Sequence, residues 1–155
     1  MQLYQEVVLR HNRNPVGRDA LAELHAGITR CRGDNPLCGE HLELRLRLLD
    51  GHIVGIGFAG ELGALTTASA SMLCALMQGA SVQQAQQLIT RAFALLLEPG
   101  QPQHDSLGEF NAFSVVAQYP NRIKTVTLPW ATLAAALAGA THTSTDELPQ
   151  GTHAR

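Results

Sequence analysis

From His41 to Leu48 the chain alternates without a break, setting Leu42, Leu44, Leu46 and Leu48 on one face and Glu43, Arg45 and Arg47 on the other. A period of two predicts a strand with one wet face. Asp50-Gly51, a pair suited to the φ > 0 positions of a tight hairpin, comes next. "HIVGIGF" then brings back Ile53, Ile56 and Phe58, so a returning antiparallel strand is expected. Upstream, Leu24 to Arg32 is a weaker strand candidate that would add a third member and place Cys38 in the turn between it and the His41 strand.

Beyond the hairpin the period lengthens to that of a helix. Leu65 to Gln78 is rich in small residues, predicts a closely packed, buried helix, and stops at Gly79. Ser81 suits the N-cap of a helix over Val82 to Leu97, whose stripe of Ala85, Leu88, Ile89, Ala92, Leu95 and Leu96 ends at Pro99-Gly100. Further helices are expected at Leu3 to His11, Gly108 to Gln118 and, after a break at Pro120, Leu128 to Leu137. These elements predict one α+β domain over residues 1–138, a small three-stranded antiparallel sheet packed against a layer of about five helices. Residues 139–155 lack apolar periodicity and are expected as a loose tail.

Composition narrows the function more than the fold. In 155 residues, 45% hydrophobic and 15% charged, the net charge is −2, which gives no general pull toward nucleic acid or anionic lipid. No apolar run is long enough to cross a bilayer, and the first residues, "MQLYQEVVLRHNRNP", do not have the layout of a secretory signal, so a cytoplasmic protein is expected. Three cysteines, Cys31, Cys38 and Cys74, are an odd number with no framework spacing, which argues for free thiols. Cys31 and Cys74 read as packing residues, as do Ser69 and Ser71. Cys38 differs: it stands among turn-forming residues in "NPLCGE", with a carboxylate at Glu40.

Taken in order, "LYQEVVLRHNRNPVG", "NPLCGE", the strand pair about Asp50-Gly51, "FAGELGALTTASASML", "GASVQQA" and "YPNRIKTVTLPWATL" resemble the iron–sulfur cluster assembly scaffolds, the family of IscU, SufU and the NifU N-terminal domain. The segment between Glu98 and Tyr119 is similar to the insertion that marks the SufU branch. The resemblance implies that three cysteines and an aspartate converge at one end of the sheet to hold zinc or a nascent cluster. Cys38 matches the first cysteine, Glu40 takes the aspartate position, and Gly63 and Thr125 stand where the other two cysteines belong. A thiolate and a carboxylate fill only half of a zinc tetrahedron, so zinc or cluster binding is expected to be weak or absent unless His41, His11 or His104 joins the set.

The resemblance further implies that the first cysteine accepts persulfide sulfur from a cysteine desulfurase of the SufS kind, with other iron–sulfur assembly proteins as further partners. Sulfur transfer needs a single accessible thiolate, and Arg122 and Lys124 are expected near Cys38 to lower its pKa. Three readings stay open: a sulfur acceptor acting through Cys38, a non-catalytic adaptor that modulates the desulfurase, and a rearranged metal site built from Cys38, Glu40 and a histidine.

Overall fold

The computed structural model describes residues 2–23, 27–98, 100 and 102–147. Helix α1 (Gln2–Arg13) precedes strands β1 (Ile28–Asn35), β2 (Glu40–Leu49) and β3 (His52–Ala59). Helices α2 (Ala64–Met77) and α3 (Val82–Leu97), a 3₁₀ segment (Asp105–Gln118) and helix α4 (Pro120–Leu137) follow, and strand β4 (His142–Ser144) with a 3₁₀ turn (Thr145–Glu147) ends the described chain. The α+β class is as expected. The sheet has four strands rather than three, in the order β3-β2-β1-β4, with β4 added parallel to β1.

The alternation in β2 places Leu42, Leu44 and Leu46 at zero exposure beneath the helices, with Ile53, Ile56 and Phe58 of β3 beside them. Asp50 and Gly51 both take positive φ, 51° and 74°, as the hairpin demands. Two glycines mark close approaches. A Cβ at Gly33 would collide with Thr132 of α4, and one at Gly57 would collide with the Ala20 backbone, so β1 can lie directly under α4 and the loop of residues 14–23 can cross β3.

Three expectations are corrected. The last helix begins at Pro120, not Leu128, because a proline at the first helical position gives up no hydrogen bond. Pro129 lies inside α4, where it has no N–H for the Thr125 carbonyl. The segment expected as a helix from Gly108 is a 3₁₀ run from Asp105, interrupted at Gly108 (φ 52°, ψ −130°). Its buried Leu107, Phe110, Phe113 and Val116 recur every three residues, the period that a 3₁₀ helix places on one face. Phe110 packs on Trp130 of α4 at 4.6 Å between ring centroids. Finally, residues 142–147 are not a loose tail but pair with β1 and bury Thr145. Residues 148–155 lie outside the described residues, as does His25 of the expected first strand.

Candidate functional site

At one end of the sheet the β1–β2 turn, Pro36 to Gly39, carries Cys38. The turn closes on the Asn35 carbonyl, which accepts from Cys38 N at 3.3 Å and Gly39 N at 2.9 Å. Gly39 supplies φ +73°, with nothing near enough to crowd a side chain, so its role is conformational. Cys38 is exposed, whereas Cys31 and Cys74 are buried. Burial pushes both of those thiols up, Cys74 to about 12, as suits packing residues.

Glu40, the first residue of β2, gathers the site. Its Oε1 accepts from the Cys38 thiol at 3.1 Å and from Thr66 Oγ1 at 2.7 Å, and its Oε2 accepts from Gly63 N at 2.5 Å. Gly63 is the N-cap of α2 and brings no capping side chain of its own. The Glu40 carboxylate therefore caps α2 from outside, where the helix dipole favours negative charge. Thr125, in the second turn of α4, donates through Oγ1 to the Asn121 carbonyl at 3.5 Å and lies near enough to pull the Cys38 thiol down slightly. Cys38 and Gly63 thus converge on the Glu40 carboxylate through hydrogen bonds, with Thr125 near enough to act on the Cys38 thiol.

The electrostatics depart from the expectation of a cation-activated thiol. Burial pushes the Cys38 thiol up and its bond to Glu40 adds to that, while the Glu40 backbone and Thr125 pull the other way. The two cations are engaged elsewhere. Lys124 Nζ lies 3.8 Å from Asp146 Oδ1, and the Arg122 guanidinium sits 5.1 Å from the centre of the Tyr119 ring. The Cys38 thiol thus meets Glu40 with its pKa raised rather than lowered.

The donor set does not fit a resident zinc ion. Gly63 has no side chain, Thr125 offers only a neutral hydroxyl, and both Glu40 oxygens are already accepting. Among the described residues no group of three His, Cys, Asp or Glu side chains gathers that could hold a metal ion. None of the histidines considered joins the site. His41 falls on the other face of β2 from Glu40 and Leu42 by strand alternation. His11 is bonded to Ser71 and Glu109, and His104 Nδ1 caps the 3₁₀ segment by accepting from Ser106 N. Thr66 and Asn35 are functional neighbours that the sequence reading missed. Only the position of Thr66 in the first turn of the small-residue helix signalled it.

An α+β domain that presents a cysteine turn, the N-terminus of a small-residue helix and the head of its last helix at one sheet end has the architecture of an iron–sulfur assembly scaffold. The chain belongs to the NifU-like N terminal domain family, which it matches over residues 3–126. It is 30% identical over 152 residues to the iron-sulfur cluster assembly scaffold protein IscU of Streptococcus pyogenes serotype M1, covering 96% of this chain and 93% of that one. It is 32% identical over 134 residues to the zinc-dependent sulfurtransferase SufU of Bacillus subtilis, covering 84% and 86% of the two chains. Among solved structures, a putative iron-sulfur cluster assembly scaffold protein for the SUF system from Fervidobacterium islandicum superposes with a TM-score of 0.76 at 25% identity, covering 88% of this chain and 97% of that one. Among the described residues no helix is long and apolar enough to cross a membrane.

Proposed function

We propose that this chain serves iron–sulfur cluster assembly as a sulfur acceptor, taking persulfide sulfur from a cysteine desulfurase on Cys38 without a resident metal. The observation that carries this reading is the exposed Cys38 thiol donating to a Glu40 carboxylate held by Gly63 N and Thr66. In the transfer, Glu40 takes the thiol proton and the Cys38 thiolate attacks the outer sulfur of the donor persulfide. The donor's S–S bond breaks as the new one forms, and the proton passes to the departing donor thiolate, so no net oxidation occurs. Thr125, which pulls the Cys38 thiol down, favours the thiolate while it exists.

Incubation with a cysteine desulfurase and free cysteine is expected to add one sulfur to Cys38 by mass spectrometry, in the presence of EDTA as in its absence. An adduct that persists in Cys38→Ser, or its absence from the unmodified chain, sinks the reading. A second reading, an adaptor that binds and modulates the desulfurase without taking sulfur, is favoured by the raised Cys38 thiol. It prevails if Cys38→Ala changes the desulfurase's turnover as fully as the unmodified chain does.

A further inference from the structure

The C-terminal segment lies against the root of the Cys38 turn. Arg32 N donates to Thr141 O at 2.9 Å, and β4 then runs parallel to β1, pairing His142 with Arg32 and Ser144 with Asp34. His142 Nε2 and Arg32 both hold the Asp34 carboxylate, at 2.5 Å and 3.1 Å. One residue further, Thr145 Oγ1 donates to Asn35 Oδ1 at 3.0 Å, and both residues have zero exposure. Asn35 Nδ2 has no hydrogen-bond partner among the described residues, so the contact with Thr145 is what orients this buried amide. Asn35 is also the residue whose carbonyl closes the Cys38 turn and lies 3.8 Å from the Cys38 sulfur. Two steps therefore connect the end of the chain to the thiol.

We propose that residues 142–147 are a working part of the sulfur site, with Thr145 as a positioning residue that holds the Cys38 turn through Asn35 so that the thiol faces Glu40. Asp146 adds to this by engaging Lys124, which precedes Thr125 on α4. The strap fixes the resting thiol. When it lifts, the turn loosens, and Cys38 loses its carboxylate partner. The proposal rests on Cys38 being the reacting thiol, so its test uses alkylation, which needs no desulfurase.

The pH profile of Cys38 alkylation by iodoacetamide is to be measured on the full chain carrying Thr145→Val or Thr145→Ser. Thr145→Val removes the donor while keeping the shape, and is expected to move the profile's midpoint down by about half a unit, speeding reaction at pH 7.5 about threefold. Thr145→Ser is expected to restore the unmodified profile. A Thr145→Val midpoint equal to that of the unmodified chain, or a Thr145→Ser profile that stays shifted, overturns the proposal. A purely structural role for Thr145 would lower thermal stability without moving the midpoint.

Should Thr145→Val fail to fold, amide exchange in the unmodified chain decides instead. The Cys38 and Gly39 amides are expected to open at the same free energy as the β4 amides. Turn amides that exchange more than tenfold faster than the strap overturn the proposal. A chain that shows these effects yet takes no sulfur from a desulfurase supports the strap and removes the sulfur-acceptor reading alone.

Discussion

Two of the carboxylates that gather polar groups in this domain are reached by α2. At one, Glu40 accepts from Thr66, the Gly63 backbone and the Cys38 thiol. At the other, Glu109 is held by Arg10 and by His11 Nε2 at 3.1 Å, while His11 Nδ1 meets Ser71 Oγ at 2.6 Å. The second cluster has the connectivity of a nucleophile with its base and orienting acid. It is nevertheless the structural one. Ser71 has zero exposure, and its oxygen is already committed to Val16 N at 2.8 Å, so no substrate can reach it. The cluster braces α1, α2 and the 3₁₀ segment. At the first cluster the thiol is the exposed member, and the groups behind it are the satisfied ones. Access, rather than the identity of the partners, separates a site from a brace here.

The largest effect that can sharpen this contrast is the gain of a metal. Gly63 has an extended backbone, and a Cβ there would lie 3.5 Å from Glu40 Oε2, an ordinary contact. Gly63→Cys with Thr125→Cys would therefore put two thiolates beside Cys38 and Glu40. The double variant is expected to bind close to one zinc per chain by metal analysis, against almost none for the unmodified chain. A double variant that stays metal-free would show that these positions do not converge closely enough to share an ion. The corresponding change at the brace, His11→Ala, should only destabilise. Leaving the Ser71 hydroxyl buried beside a new gap is expected to cost about 2 kcal/mol in denaturant unfolding, with Cys38 alkylation unchanged.

How much of this was legible in the sequence depended on whether a local period or a distant partner decided the structure. The β2 alternation and the Asp50-Gly51 turn are local, and both hold as far as Leu46; Leu48, expected on the same face, is exposed beyond a register shift after Arg47. The triplet spacing of Leu107, Phe110, Phe113 and Val116 was also present, but it was read as an ordinary helix because 3₁₀ runs of this length are uncommon. Pro120 was read as a break because a proline that starts a helix and one that stops it look alike without the next turn. Strand β4 is His-Thr-Ser, with no apolar signature; its partner is β1, more than a hundred residues away. At the site, the turn position of Cys38 beside Glu40 was legible, but Lys124 and Arg122, expected near Cys38 to lower its pKa, are not among the groups that shift it. Asp146 and Tyr119, which engage those cations, carried no motif.

A smaller effect separates proton transfer from scaffolding at Glu40. Glu40→Gln keeps the reach to α2 but loses the charge that accepts the thiol proton. Sulfur acceptance is expected to slow about tenfold, measured as the rate of adduct formation on Cys38. Unfolding stability should fall by about 1 kcal/mol as the helix N-terminus loses its anion. If stability falls while the transfer rate is unchanged, Glu40 is a cap and nothing more, and the two clusters are alike after all.

The smallest effect lies on the acid side. The Arg10 hydrogen bond, with His11 behind it, holds the Glu109 carboxyl below its ordinary value. Arg45 and then Arg30 do the same for Glu43, and Arg32 with His142 does so for Asp34. A depressed folded pKa means that the carboxylate's contribution to stability is fully present above the unfolded value, near pH 4 to 4.5, and is lost as pH falls through the folded one. Because Glu109 is 44% exposed and Glu43 41%, solvent screens these pairs, and each is expected to contribute little. Thermal unfolding followed from pH 6 to pH 3 should show a shallow decline that Glu109→Gln flattens slightly. Cys38 alkylation, normalised to thiolate content, should be unaffected by that substitution, because Glu109 belongs to the brace; a change in it would mean that α2 transmits strain from one carboxylate to the other.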